Sequence, residues 1–268
     1  MSARRRTMSL AVELPGRGLP GPPPDFAAYA RLAGAAERGL FDFVLLTDGP
    51  DPEHGDAHAH AQPHADGRAA WPHPFALPGG SPEPVTVLNA LAAVTTRIGL
   101  AALPSPGREP YGLARGIAAL DRLSGGRAAG PVAAGAVPRA GTHGRPVTIR
   151  EAGPEDVAEG ADVVVGRPGQ SVRPGVKLLA RLDLDLTLAE PAAPQTLAER
   201  LDAPVQSGVV DGYVLLPEPA PAGRGLDAFV DLVVPLLQRR GSLRTAYRGT
   251  TLREHLGLPP TGVKGLRT

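Results

Sequence analysis

The stretch from residue 83 to residue 127 constrains the fold more than any other part of the sequence. Pro84 suits the first turn of a helix, and the apolar residues that follow recur at helical spacing: Val85, Leu88, Leu91, Ala92 and Val94. The run 97–103 is almost entirely apolar, as in a parallel strand that is buried on both faces. A helix followed by such a strand predicts a repeating parallel α/β fold.

A loop and a second helix complete this unit. The loop 104–107 is rich in proline, and helical spacing returns over 111–123 before Gly125 ends the helix. The loop leaves the carboxyl end of the strand, which is the edge where parallel barrels bind their ligands. We therefore expect the functional site at this edge.

The same stretch closely resembles the luciferase-like flavin-dependent monooxygenases. The resemblance is carried by EPVTVLNALAAVTTRIGLAA, EPYGLAR and LDRLSGGR, and by AERGLFDFVLLTDGP (36–50), GRPVTIREAG (144–153) and residues 211–258 in the same order. The most similar branch is the two-component one that acts on nitrilotriacetate and dibenzothiophene sulfone. The resemblance implies an α/β, TIM-barrel-like parallel (β/α)8 fold of the bacterial luciferase type, formed by one domain over residues 1–268.

Periodicity and short apolar runs predict eight strands, over 9–14, 43–47, 97–103, 128–136, 146–150, 162–165, 176–188 and 213–216. Only nine residues, 137–145, separate the fourth strand from the fifth, and 166–175 has no helical pattern. A crossover between parallel strands usually needs a dozen or more residues with a helix. We therefore expect a barrel in which some helices and insertions are missing, with strand faces exposed there unless a partner covers them.

The C-terminal part, 226–268, predicts a helix followed by an extended arm. The helix would place one set of apolar side chains on a single face, namely Phe229, Leu232, Val233, Leu236 and Leu237, and the arm would run over 243–258. A preceding helix, 196–205, would be interrupted by Pro204. The resemblance implies that the arm packs against the barrel or a second copy, which would make a homodimer.

Three residues are candidate cofactor contacts. Asp48 follows the second strand directly, and the resemblance implies that it lines the flavin pocket, although Asp48-Gly49 is also ordinary turn chemistry. Ser105 is the one hydroxyl left in a loop where relatives carry several against the flavin ring. Gly153 stands at the strand end where relatives hold the flavin phosphate. No catalytic residue can be assigned.

The residues after Gly153 depart from the family pattern. Glu155 and Asp156 follow where relatives hold an anion, so their charges would repel a phosphate, although they suit the start of a short helix over 154–159. We therefore expect weakened cofactor binding.

Residues 50–82 predict an irregular loop that holds five of the seven histidines. One interpretation is a metal site, since imidazole is a common ligand. The favoured one is a mobile loop that binds no metal, because the spacing is irregular and the chain has no cysteine. Trp71 and Phe75 would anchor it as a lid near the substrate entrance.

Composition limits the remaining functions. A net charge of +1 gives no electrostatic reason for nucleic-acid binding, zero cysteines exclude disulfides, and no run reaches the ~20 apolar residues of a membrane helix. Without a recognisable signal peptide, the expected location is the cytoplasm.

The resemblance implies an oxidoreductase that uses O2 and reduced FMN, supplied by a separate flavin reductase, to oxidise a small organic substrate. A deazaflavin is the alternative cofactor. The alternative function is that of a degenerate, non-catalytic homologue that acts as a binding or assembly partner.

Overall fold

The computed structural model contains a closed barrel of eight parallel strands arranged in chain order. The structure describes residues 5–14, 25–47, 83–103, 110–131, 143–152, 160–183, 193–217 and 224–261. The strands are β1 (Ser9–Glu13), β2 (Phe43–Thr47), β3 (Gly99–Leu103), β4 (Ala128–Pro131), β5 (Val147–Glu151), β6 (Val163–Gly166), β7 (Lys177–Asp183) and β8 (Gly212–Leu216). Each strand pairs with the next, and β8 pairs with β1. The fold class predicted from the sequence is confirmed.

Helices pack around the outside of this barrel. The described ones are α1 (Phe26–Arg38), α2 (Pro84–Val94), α3 (Pro110–Ser124), α4 (Ala193–Gln206), α5 (Arg224–Ala228), α6 (Val234–Arg239) and α7 (Leu252–His255). Asp25 caps α1 and Glu83 caps α2 by accepting hydrogen bonds from backbone N–H groups of the first turn. In the described part of the chain, none of the helices has both the length and the apolar character that a membrane crossing needs.

Alternation along the strands divides their side chains between two apolar layers. One set packs outward against the helices, and the other fills the barrel interior. The interior set is made of Ala11, Phe43, Leu45, Ala101, Leu103, Ala129, Val147, Ile149, Val163, Val165, Leu179 and Val214. All five residues of β3 are buried, as the apolar run predicted.

The predicted C-terminal helix is present, but its predicted apolar face is wrong in one position. Five residues of π-helix, Phe229–Val233, separate α5 from α6, and the N–H of Val234 donates to the carbonyl of Phe229, five residues earlier. This wider turn leaves Leu232 exposed and buries Val230 and Val234 instead. A π turn just before Pro235 also fits a residue that cannot donate to the preceding turn.

Three smaller expectations also need correction. Pro204 does not interrupt α4, which runs from Ala193 to Gln206. Val94 is exposed, because it lies in the last turn of α2. The arm after Gly241 is not wholly extended, since it contains the short helix α7 with a capping box between Thr251 and Glu254.

The predicted irregular connection between β6 and β7 is confirmed. Residues 167–176 contain turns and neither helix nor strand. The expectation that this connection would leave a strand face exposed is wrong, because Val164 and Leu178 are buried and Val172 and Val176 pack against the same core. The predicted connection 137–145 between β4 and β5 lies outside the described residues as far as residue 142. The predicted short helix 154–159 also lies outside them.

The turn between α2 and β3 is fixed by one buried arginine. The Arg127 side chain is almost wholly buried, and its guanidinium donates to the carbonyls of Ala92, Thr95, Ile98 and Ser124 and to the Thr95 hydroxyl. These carbonyls include groups at the carboxyl ends of α2 and α3, where a helix leaves carbonyls unpaired. A positive charge at two helix carboxyl ends is also favourable electrostatically.

We expect Arg127→Met to lower the free energy of unfolding by about 3 kcal/mol, because it leaves several buried carbonyls without a donor. Arg38→Met is the matched control, since Arg38 is exposed and pairs with Asp227 at 3.0 Å. The control should cost less than about 1 kcal/mol. Urea denaturation of both variants measures the difference, and similar losses in the two would contradict the assigned role.

The C-terminal arm closes the amino-terminal end of the barrel, which we call the barrel base. Leu252, Leu256 and Leu258 join the interior apolar cluster. Leu252 lies so close to Gly99 that a Cβ on residue 99 would be 2.6 Å from the Cδ1 atom of Leu252. Apolar contact with the barrel interior therefore holds the arm in place.

Buried ion pairs fix the arm at two further points. Arg244 pairs with Asp42, whose carboxylate also accepts from the Leu10 N–H. Arg253 pairs with Asp162 at 2.8 Å, and Asp162 also pairs with Arg145. Burial raises the pKa of Asp162, but hydrogen bonds from Arg253 and the Thr148 N–H outweigh it and hold that pKa below its usual range.

His255 lies inside this sealed base as a neutral imidazole. It is buried against the Tyr247 ring, and its two ring nitrogens have no hydrogen-bond partner among the described residues. Burial lowers the pKa of His255 to about 4, and the charge of Arg244 acts in the same direction. Protonation therefore favours the unfolded chain, where the histidine pKa is about 6.5.

We expect the free energy of unfolding to fall as the pH drops from about 6.5 to 4, by roughly 3 kcal/mol from His255 alone. His255→Leu should remove this part of the acid sensitivity while filling the same apolar site. Val94→Leu, at an exposed position without an ionisable group, is the control and should leave the acid sensitivity of the chain in place. Urea denaturation across this pH range tests the prediction, which an unchanged profile in His255→Leu would contradict.

Candidate functional site

The carboxyl ends of the eight strands form an opening that we call the barrel mouth. Its side chains are the last inward-facing ones of each strand, two of them on β7, and they continue the alternation of the interior set. Among the described residues, these are Glu13, Thr47, Leu103, Pro131, Glu151, Val165, Arg181, Asp183 and Leu216. In a parallel barrel this end is where ligands bind.

A hydrogen-bonded network occupies part of the mouth, with Glu13 at its centre. The Thr47 hydroxyl donates to one carboxylate oxygen of Glu13 at 2.9 Å, and Nε of Arg181 donates to the other at 2.9 Å. The Glu13 side chain is 16% exposed. A largely buried carboxylate with a partner on each oxygen is a fixed element of the site.

Arg181 extends this network to the far wall. Its Nη2 donates to Glu151 at 2.5 Å, and the Glu151 side chain is 55% exposed. Burial lowers the pKa of Arg181, but the charges and hydrogen bonds of Glu13 and Glu151 outweigh it and raise that pKa above its usual value. The guanidinium is therefore always charged, with a buried carboxylate on one side and an exposed one on the other.

The barrel topology explains why these residues meet. Glu13 ends β1 and Arg181 lies in β7, and both strands pair with β8. Glu151 ends β5, which β6 separates from β7. The network therefore crosses β8 and β6, whose inward residues here, Leu216 and Val165, are apolar.

The opposite wall of the mouth is less polar. Leu103 ends β3 and Pro131 ends β4, so between Thr47 and Glu151 the described wall carries apolar side chains. The mouth thus combines an apolar wall with a charged one. That combination suits an organic molecule with a flat apolar body and polar edges.

The three predicted cofactor contacts lie outside the described residues. Asp48 directly follows Thr47, Ser105 follows Leu103 by two positions, and Gly153 follows Ala152. Each adjoins a strand end at the mouth or the residue after it. Their contacts with a cofactor stay a prediction.

Sequence reasoning missed four of the mouth residues: Glu13, Thr47, Glu151 and Arg181. Glu13 and Thr47 lie within the predicted strands 9–14 and 43–47 with no role assigned, and Glu151 directly follows the predicted strand 146–150. Arg181 lies within the predicted strand 176–188, and alternation from the buried Leu179 points Arg181 and Asp183 into the mouth. Counting every second residue from the buried centre of each strand toward its carboxyl end identifies all four as inward-facing.

The described residues contain no group of three or more histidine, cysteine or acidic side chains placed to hold a metal ion. The histidine-rich segment 50–82 lies outside them. Its predicted character, a mobile loop that binds no metal, stays a prediction.

Comparisons with known proteins agree with this architecture. The family model described as luciferase-like monooxygenase matches residues 6–159. The chain is 46% identical over 65 residues to N-acetyl-S-(2-succino)cysteine monooxygenase of Bacillus subtilis, and 45% identical over 65 residues to nitrilotriacetate monooxygenase component A of Aminobacter aminovorans. Each match spans 24% of this chain and only 14% of the relative.

A solved structure extends the likeness of fold over nearly the whole chain. EDTA monooxygenase from Chelativorans sp. BNC1 superposes with a TM-score of 0.69 and 19% identity, and the match covers 96% of this chain and 100% of that one. At this identity the comparison concerns the fold alone.

We expect Glu13→Gln and Glu151→Gln to differ in their effect on stability, although both remove a carboxylate from Arg181. Glu13→Gln should cost about 1–3 kcal/mol, because Glu13 is largely buried and its loss leaves Arg181 without its more buried partner. Glu151→Gln should cost less than about 1 kcal/mol, because an exposed ion pair contributes little. Urea denaturation compares them, and equal costs would contradict the asymmetry of the network.

Proposed function

The chain belongs to the luciferase-like monooxygenase family, and from this we propose that it is a flavin-dependent monooxygenase acting on a small organic substrate. The observation that carries the proposal is the parallel barrel whose polar side chains meet at the carboxyl mouth. Glu13, Thr47 and Glu151 of that mouth lie within the segment that the family model matches.

The described mouth fits the ring system of a flavin. Leu103 offers apolar surface for the flat ring, and Thr47 stands beside it on β2 with a hydroxyl; Leu216 adds apolar surface on β8, beyond Glu13 of β1. We propose that Asp48, Ser105 and Gly153 contact the cofactor from the loops that follow β2, β3 and β5. When bound, a reduced flavin supplies the two electrons with which one atom of O2 enters the substrate and the other leaves as water. The chain's own residues bind and orient the two molecules and exclude bulk water.

The phosphate of FMN fits the described mouth less well. The Arg181 guanidinium already pairs with Glu13 and Glu151, whose two negative charges outnumber its single positive one. We propose that the chain binds FMN weakly, since losing one charge-assisted hydrogen bond weakens affinity by roughly tenfold or more. A deazaflavin is the alternative cofactor.

We propose a separate flavin reductase as partner. The Aminobacter relative is component A of its monooxygenase, which supports a second component for this chain as well. We also propose that residues 1–268 work as one barrel domain, with the C-terminal arm as part of it, and that the chain can form a homodimer.

Anaerobic titration of the purified chain with reduced FMN tests the proposal. We expect saturable binding with a dissociation constant on the order of tens of micromolar or weaker, and loss of binding in Asp48→Ala. Asp227→Ala is the control, because Asp227 pairs with Arg31 and Arg38 on the outer surface and should not affect the flavin. A parallel titration with a reduced deazaflavin shows which cofactor is preferred.

The outcome separates two functions. Sub-micromolar binding would show that cofactor affinity has not weakened. No binding of either cofactor at millimolar concentration would remove the enzyme proposal and leave that of a non-catalytic binding partner. The pairing of Arg181 with two glutamates favours that second function, because their charges offset its charge toward an anionic ligand.

A further inference from the structure

Arg181 is the one cation among the described side chains that face inward from the carboxyl-terminal halves of the eight strands. A guanidinium in such a position normally serves as an anchor for a carboxylate or a phosphate. Here its Nε holds Glu13 and its Nη2 holds Glu151. Two of its three nitrogen atoms therefore already bind carboxylates of the chain itself, and the two carboxylate charges outnumber the single charge of the guanidinium.

Neither carboxylate is readily replaced. Glu13 is largely buried and is held a second time by the Thr47 hydroxyl. Glu151 is more exposed, but it is attached to the chain. A free carboxylate that displaced it would replace one carboxylate–guanidinium pair by another and would also lose its own translational freedom. Ligand carboxylates therefore gain little at Arg181.

The surrounding charge adds a repulsive contribution. The inward-facing residues at the carboxyl ends of the strands include three acids, Glu13, Glu151 and Asp183, against one base, Arg181, so these strand residues carry a net charge of −2. A cleft lined with one sign of charge changes the local concentration of charged solutes by about tenfold or more. Discrimination between ligands often depends on such a repulsive element.

We propose that the doubly paired Arg181 and the excess of carboxylates around it make the barrel mouth select against anionic substrates. The chain then takes an organic substrate whose groups within the mouth are neutral or amine-bearing, and it rejects polycarboxylates. The inference rests on the proposed function only in assuming that the chain has a substrate. The charge of the mouth can be measured without any cofactor.

The absence of cysteine from the chain allows a direct measurement of that charge. Leu216→Cys places one thiol in the mouth, on the strand position paired with Asp183. Its reaction rate is measured in the full-length chain at low salt with two disulfide reagents, the dianion dithiobis-nitrobenzoate and the neutral dithiodipyridine. The ratio of the two rates reports the local charge, because the reactivity of the thiol itself cancels. Leu232→Cys, exposed on the outer helix surface, is the reference.

We expect the ratio of anionic to neutral rate to be roughly tenfold lower at position 216 than at position 232, with the difference shrinking as salt is added. Glu151→Gln in the Leu216→Cys background should raise the ratio severalfold, and Arg181→Gln should lower it further. Glu199→Gln is the matched control, because Glu199 is also an exposed glutamate paired with an arginine, at 2.7 Å, away from the mouth. It should leave the ratio unchanged.

Ligand protection of the same thiol tests the substrate class. Triethanolamine and nitrilotriacetate share one branched amine skeleton, but the first ends in hydroxyls and the second in carboxylates. We expect triethanolamine to slow the reaction with dithiodipyridine and nitrilotriacetate to leave it unchanged.

Equal rate ratios at positions 216 and 232, or protection by nitrilotriacetate that Arg181→Gln abolishes, would overturn the inference. The latter result would make Arg181 an anion anchor. Failure of the chain to bind flavin would not alter either measurement, so the two proposals fail separately.

Discussion

Closure of the strand cylinder is the constraint on which the rest of the structure depends. The first and last strands meet at Ser9 and Gly212, where a Cβ on residue 212 would lie 1.8 Å from the Ser9 carbonyl oxygen. Only glycine allows the two backbones to approach so closely. Because β8 pairs with both β1 and β7, the seam leaves no free edge in the described sheet, and it fixes the register that brings Glu13 and Arg181 together.

The two ends of the barrel are lined by different kinds of side chain. At the base, leucines of the C-terminal arm enter the interior, and Arg244, buried against Asp42, fixes the arm. At the mouth, charged side chains stand partly in solvent and form a network across the opening. In barrels of this type, stability comes mainly from one end and ligand chemistry from the other. This chain follows that division, although Arg181 at the mouth is already paired with Glu13 and Glu151.

Local sequence patterns were sufficient for the strands and most helices. The apolar run that contains β3 predicted a strand buried on both faces, and the proline-rich, pattern-free segment after β6 predicted a connection without a helix. What could not be predicted depends on distant partners. Asp42 and Arg244 are far apart in sequence, and neither shows a local sign of burial. The π turn before Pro235 shifted the buried face of the last long helix, because helical periodicity assumes a constant number of residues per turn.

The sealing arm has a consequence for the order of events during synthesis. The seam strand β8 and the leucines that fill the base all belong to the last quarter of the chain, whereas their partners β1 and Gly99 are made much earlier. A growing chain therefore holds open strand edges and an unfilled interior until these late residues leave the ribosome. Contacts between such distant segments also slow folding. A nascent chain of this kind depends on protection from aggregation until these segments are made, and a chain that stopped before Leu252 would leave the base open.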